Sequence, residues 1–484
     1  MSKQIKRPLF DALLDYANSD VTAFDVPGHK MGKGLHPDLQ QLSTKTLLKL
    51  DINSNPGLDI LSNPEGVILE AEQLAAELFE ADHAFFLVNG STGGIQNMML
   101  AVLKPGDKIL LPRNIHKSAV NGLVLTGAVP IFIQPEIEPT LGFAVGHSYK
   151  RTKHLIDKHP DAKAILLLNP TYYGFTSDIR AITQYAHKKG LMVLVDESHG
   201  THFTFNHDFG IPAMAAGADM ATLSVHKTGG SFTQSSLLLL NERSLSAKRV
   251  QSAINVMQTS SASYLLMSSL DLARHHLAMN PQLMESVYEL SHYATEAINR
   301  IPGVHAMGDY VSVHGEVFRH DVSKLLIDVH KLGLSGNEVF DLLKQDYNLQ
   351  LEVGETNIVL AIVSIGDRKE DIDRLISALQ DLSSLYYRTN QRNYVRRRFF
   401  HPELAMTPRD AFFSPTEYVS LDQADGRIAG DQIMIYPPGI PLLIPGERIS
   451  KQIMIEYQRL IKQGNKVIGS VSNGAIKIKV IKED

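Results

Sequence analysis

The run Ser224-Val225-His226-Lys227-Thr228-Gly229-Gly230 sets a lysine just after an apolar stretch, Met220 to Val225, that reads as a buried strand. An amine at a strand end, flanked by hydroxyl, imidazole and glycine groups, suits a Schiff base held beside a phosphate. Taken alone, the run also fits a surface lysine in a polar loop. Upstream, Val193-Leu194-Val195-Asp196-Glu197-Ser198-His199-Gly200 puts Asp196 at the end of another buried run. A carboxylate there can pair with a protonated pyridine nitrogen, keep the ring cationic and let it accept electrons. Asp196, Ser198 and His199 could instead form a compressed hydrolytic triad. Consecutive side chains do not converge without a special turn, however, and no G-x-S-x-G elbow surrounds Ser198.

Two further groups complete the chemistry. Ser91-Thr92-Gly93 lies in the loop Asn89 to Gly94 that opens onto a helix, where N–H groups and hydroxyls can hold a phosphate. His116, in Asn114-Ile115-His116-Lys117-Ser118, follows the strand Lys108 to Pro112 and could lie flat on an aromatic ring; as a single residue it better fits a satisfied structural histidine.

These groups need a scaffold, and the 484-residue chain can supply one. Its 44% hydrophobic and 20% charged residues are those of a globular protein. With 47 Lys+Arg against 52 Asp+Glu, the net charge of -5 gives no basic field for nucleic acid or an acidic membrane. Cysteine is absent, which excludes disulfides, thiolate metal sites and a cysteine nucleophile. No apolar stretch approaches a membrane span, and a cytoplasmic enzyme is expected. The 20 histidines, His275-His276 included, lack ligand spacing, so no metal is expected.

Apolar spacing predicts helices over Lys6 to Ala17 and Val67 to Ala81, with a turn-forming arm at Val26-Pro27-Gly28-His29-Lys30. Short apolar runs then alternate with helical patterns: Lys108 to Pro112, Pro130 to Gln134, Ala164 to Leu168, Leu191 to Val195, Met220 to Val225 and Ser236 to Leu240. Runs buried on both faces and separated by helices such as Ile179 to Lys189 read as an α/β domain with a mostly parallel central sheet. Helices over Tyr264 to Asn280 and Gln282 to Arg300 would close it. A smaller α+β unit follows, with strands at Lys324 to Val329 and Ile358 to Val363. Arg392, Arg396, Arg397 and Arg398 mark a linker or solvated face. A third unit carries Asp431 to Tyr436, Pro437-Pro438-Gly439 and a strand-like end, Lys466 to Ile481. The division expected is 1–50 as an N-terminal arm and helix, 51–295 as the large α/β domain, 296–388 as the small α+β domain and 389–484 as a C-terminal domain.

Phosphate loop, stacking histidine, strand-end aspartate and lysine occur in the order of fold-type-I (aspartate-aminotransferase-like) pyridoxal 5'-phosphate enzymes. Within that class the chain resembles the bacterial ornithine/lysine/arginine decarboxylase family in its short form, without an N-terminal receiver-like domain. The resemblance spans almost the whole chain. It rests on Pro27-Gly28-His29-Lys30, Asn89-Gly90-Ser91-Thr92-Gly93, Arg113-Asn114-Ile115-His116-Lys117-Ser118, Asp196-Glu197-Ser198-His199-Gly200, Ser224-Val225-His226-Lys227-Thr228, Thr259 to Tyr264 and Tyr436-Pro437-Pro438-Gly439-Ile440-Pro441.

The resemblance implies that Lys227 carries the cofactor, Asp196 pairs with its ring nitrogen and His116 stacks on the ring. Ser91, Thr92, Gly93, Ser224 and His226 would serve the phosphate. His199 would lie near the cofactor O3' or the substrate. The arm with His29, a substrate-binding candidate, and the segment around Ser261, a cofactor-binding candidate, would approach a neighbouring subunit's site, in a homodimer or higher homo-oligomer. Val225 stands where the family usually has Thr, and Ser261-Ala262-Ser263 where Ser-Pro-Ser is common. The expected reaction is decarboxylation of a basic amino acid, arginine to agmatine first, in polyamine and spermidine synthesis, with lysine or ornithine as alternatives. A basic side chain needs an acidic distal pocket, for which Glu447, Asp59 and Asp51 are candidates. Lys227 and His226 both stand as donors of the proton to Cα. An aminotransferase would share the same groups but turn over with a keto acid and without CO2. A non-catalytic cofactor-binding regulator is disfavoured, since the full set is present and no helix-turn-helix is evident.

Overall fold

The computed structural model describes residues 3–18, 45–387, 400–436, 439–462, 466–472 and 476–483. The arm with His29 and the arginine-bearing stretch 390–399 lie outside the described residues. The chain forms two compact units that alternate along the sequence. One comprises Met1–Ala101, Leu194–His207 and Ile211–Met284; the other comprises Val102–Val193, Asp208–Gly210 and Glu285–Asp484. The four-part division expected from the sequence is contiguous along the chain, whereas each of these units is assembled from separated segments.

In the first unit Ser236–Leu240 is buried at every position. It pairs antiparallel with His83–Leu87 on one side and with Met220–Leu223 on the other. Met220–Leu223 pairs parallel with the end of Met192–Asp196, setting Asp196 opposite Thr222. These antiparallel pairings are the exceptions in the mostly parallel sheet expected, and chain length explains one of them. The connection 224–235 holds a single helical turn, Val225–Thr228, and a parallel return needs a full crossover. The strand His83–Leu87 escaped the sequence reading because its apolar residues extend the pattern of the helix before it. That helix, Val67–Leu78, stops at Phe79.

Glu72 lies on that helix, and its Oε1 accepts the Phe86 N–H at 2.8 Å. Burial pushes its carboxyl up to about 8; the Phe86 N–H opposes the shift and the Asp59 charge adds to it. The folded protein therefore keeps this proton between about pH 4.5 and 8 while the unfolded chain loses it, so stability falls as pH rises through that window. Glu72→Gln retains the acceptor without the titration. Its unfolding free energy is expected to match the parent's at pH 5 and exceed it at pH 8 by at most several kcal/mol, read from denaturant melts at the two pH values. Parallel pH curves for the two proteins would contradict this.

In the second unit Lys108–Pro112 pairs in parallel with both Val129–Ile133 and Ala162–Leu168. The helices Lys117–Thr126 and Tyr149–Lys158 make the connections, the α/β pattern expected. An antiparallel sheet follows, with Lys324–Asp328 between His305–Ala306 and Ile358–Ile362, and Val353–Gly354 at its other edge. The helix Gly336–Tyr347 of this part starts at a capping box of Ser335 and Glu338. The C-terminal part holds two small sheets around a core that includes Ile433, Leu443, Ile453, Tyr457 and Val480. Among the described residues no helix is long and apolar enough to cross a membrane, and no group of three or more acidic, histidine or cysteine side chains is arranged to hold a metal.

Candidate active site

Lys227 stands, exposed, on the single turn that leaves the buried strand Met220–Leu223. Its Nζ lies 2.8 Å from His199 Nε2, so one nitrogen donates and the other accepts, and a proton can pass between them. The turn is tethered on several sides. Gly229 N–H reaches Val225 O at 2.7 Å, and Gly90 N–H reaches Gln234 O at 2.9 Å. Phe232 N–H donates to Ser269 Oγ at 3.1 Å. His226 Nδ1 lies 2.8 Å from the Ser235 carbonyl. A carbonyl only accepts, so Nδ1 carries the proton. Burial, opposed by that carbonyl and aided by the charge of Lys227, holds His226 below the ordinary imidazole range. It is therefore neutral at pH 7 and a weak proton donor.

Asp196 closes its strand and is 8% exposed. Its Oδ1 accepts both the N–H of Ser198 at 3.1 Å and its Oγ–H at 2.5 Å, which leaves Oδ2 for a cofactor N–H. Ser198 thus orients Asp196, a role that the residue two places on from an aspartate can signal in sequence. Glu197 serves the scaffold: its N–H extends the pairing to Thr222 O, and its Oε1 accepts the Ala213 N–H at 2.8 Å.

Ser91 begins the helix Gly90–Val102 together with Thr92 and Gly93. Its Oγ receives hydrogen bonds from Ser224 Oγ at 2.8 Å and Thr222 Oγ1 at 3.2 Å. The helix start is pressed close to its neighbours: a Cβ on Gly93 would lie 2.3 Å from the Asn89 side chain, and one on Gly94 would lie 2.0 Å from Thr222 Oγ1. Asn89 Oδ1 and Thr201 Oγ1 are buried without a hydrogen-bond partner among the described residues. Helix N–H groups, hydroxyls, a strand-end carboxylate and an amine are the donors and acceptors that pyridoxal 5'-phosphate requires. Ser261 is exposed and its N–H bonds Thr259 Oγ1; Ser263 caps the helix Tyr264–Met279.

The substrate carboxylates expected from sequence have other partners. Asp59 Oδ2 accepts N–H groups of Glu65, Gly66, Ile68 and Leu69 at the start of the helix Val67–Leu78, and Oδ1 accepts those of Ile60 and Glu65. Burial works to raise its carboxyl, but these N–H groups hold it below the usual range. Asp59 is a helix-start acceptor. In the second unit Glu447, 1% exposed, takes Arg113 Nη2 and the Ile444 N–H, each at 2.9 Å, on Oε2. Burial pushes its carboxyl up, and Arg113 opposes this. Also in that unit, His116 caps the helix Lys117–Thr126, its Nδ1 accepting the Ser118 N–H.

This is the fold of the fold-type-I pyridoxal 5'-phosphate enzymes. The structure matches the lysine decarboxylase LdcF of Francisella novicida with a TM-score of 0.86 at 19% identity, covering 99% of this chain and 81% of that one. It matches the constitutive lysine decarboxylase of E. coli equally well, at 0.86 and 19% identity over 99% and 82%. The chain belongs to the Orn/Lys/Arg decarboxylase family, whose major domain matches residues 7–319 and whose C-terminal domain matches residues 389–469. It is 41% identical over 484 residues to the arginine decarboxylase of Bacillus subtilis (strain 168), covering 99% of each. The protein is accordingly a pyridoxal 5'-phosphate-dependent decarboxylase of basic amino acids, as the resemblance implied.

Proposed function

We propose that the protein converts L-arginine to agmatine and CO2. The arginine decarboxylase of B. subtilis, alike over the full length, supports the choice of arginine over lysine or ornithine, and the observation that carries the chemistry is the Lys227–His199 contact in the unit that holds Asp196. When bound, pyridoxal 5'-phosphate takes up the electron pair left at Cα as CO2 departs. Asp196, oriented by Ser198, would hold the pyridine nitrogen protonated. Ser91, Thr92, Gly93 and Ser224 would hold the phosphate. Lys227 would carry the cofactor and then return a proton to Cα, with His199 as its exchange partner. Neutral, Nδ1-tethered His226 is the poorer donor of the two left open by the sequence, and it anchors the loop. His116 would stack on the ring. The segment around Ser261 and the arm with His29 would serve a neighbouring copy's site.

The same reading includes a cytoplasmic homodimer or larger homo-oligomer working in polyamine synthesis. Supplying arginine, lysine and ornithine separately and measuring CO2 with the amine product tests the substrate. Agmatine is expected with kcat/KM at least about tenfold above the other two. A larger value for lysine or ornithine would replace arginine.

A further inference from the structure

We propose that Glu447 and Arg113 form a clamp that fixes the orientation of His116, making Glu447 a positioning residue for decarboxylation and not a ligand of the substrate. Arg113 follows the strand Lys108–Pro112 and keeps its pairing, its N–H reaching Ile133 O at 2.8 Å. Its side chain turns to the C-terminal part of the same unit. Nη2 donates to Glu447 Oε2 at 2.9 Å and to Leu442 O at 3.1 Å, while the guanidinium lies 4.8 Å over the Phe132 ring. The acceptor is itself held firmly. Glu447 Oε2 also takes the Ile444 N–H. Gly446, at φ +91°, packs so closely that a Cβ there would lie 2.3 Å from Met406 O.

Three residues past Arg113, His116 is anchored at the other end of the segment. Its Nδ1 accepts the Ser118 N–H at 3.3 Å and lies 2.8 Å from Ser118 Oγ. An acceptor nitrogen carries no proton, so the ring is the Nε2–H form, with its plane set by the helix start. Asn114 and Ile115 between the anchors are buried. A displacement of Arg113 is therefore transmitted to His116 through a short, packed segment.

The pair is poorly explained as a source of stability. Two buried charges lose much of their hydration, and apolar residues of similar size would serve as well. Arg113 Nη1 is, moreover, buried without a hydrogen-bond partner among the described residues. Direction is what an ion pair adds here: two acceptors on one nitrogen define where the guanidinium, and so the chain leaving it, must lie.

The inference rests on the reading of His116 as the ring-stacking residue, and the test separates the two. Glu447→Gln, and the double variant Arg113→Met/Glu447→Met, which keeps the site filled if the single change fails to fold, are compared with the parent as full chains. Hydrogen exchange over residues 113–121 is followed in the cofactor-free protein. With pyridoxal 5'-phosphate loaded, its visible circular dichroism and the kcat and KM for arginine are measured. Faster exchange at the Ser118 amide, an altered visible signal and a kcat lower by about tenfold to a hundredfold are expected, with KM within about twofold. In a His116→Ala background Glu447→Gln should change kcat no further. Unchanged exchange, a loss confined to KM, or effects that multiply with His116→Ala would overturn the clamp. If His116→Ala leaves the visible signal untouched, the stacking reading fails and the proposal with it. If that variant alters the signal and Glu447→Gln does not, only the clamp fails.

Discussion

Lys227→Ala is expected to abolish the borohydride-reducible link to the cofactor and to lower CO2 release from arginine by at least about a thousandfold. Both effects follow from one nitrogen. The amine proposed to carry the cofactor also lies 2.8 Å from His199 Nε2, so its removal takes away attachment and proton return together. Added amines can bind as free solutes but lack the tether, and rescue by methylamine should stay well below parental rates. The fold is unaffected in this expectation, because the Lys227 side chain is exposed and the turn is held by backbone bonds and by His226. The measurement is single-turnover CO2 release beside mass spectrometry of the reduced protein. A reducible link on another residue would relocate the site.

Asp196→Asn should cost about a thousandfold in kcat while cofactor still binds. The amide keeps the shape and can accept from Ser198, but it has no charge to hold the pyridine nitrogen protonated, and electrostatic groups aimed at developing charge commonly contribute 10²–10³. Ser198→Ala is the graded companion. It removes the 2.5 Å Oγ bond to Oδ1 and leaves the 3.1 Å backbone bond, so a loss of about tenfold to a hundredfold is expected from one hydrogen bond to a charged group. If Asp196→Asn falls no further than Ser198→Ala, orientation alone matters and the charge does not.

The parts of the site that sequence exposes are those where chemistry interrupts a period. Asp196 ends one run of buried residues and Lys227 follows another by a single turn, and a charge at such a boundary stands out. The Ser91 segment shows itself by small polar residues, although the sequence reads as a loop what the structure forms as the first turn of the helix Gly90–Val102. The carboxylates behave differently, because an acidic residue in a loop looks the same whether it meets a substrate, a helix start or an arginine. Asp59 is taken by backbone N–H groups within ten positions, and Glu447 by Arg113 at a separation of 334. Only the folded chain brings the second pair together. The boundaries of helices such as Tyr264–Met279 and Gly336–Tyr347 follow from serine caps. Strand direction is less legible, and the pairing of Ser236–Leu240 with Met220–Leu223 depends on how little chain lies between them.

That short connection has a kinetic consequence. The main chain from 224 to 235 is pinned at both ends by adjoining ladders and from the side by Ser269, so in the proposed role of Lys227 the attachment and release of a reactant would need only rotation about the lysine's own methylene bonds. Such rotations finish in picoseconds to nanoseconds. If Lys227 carries the cofactor as proposed, the loop 224–235 would not itself have to open for attachment and release.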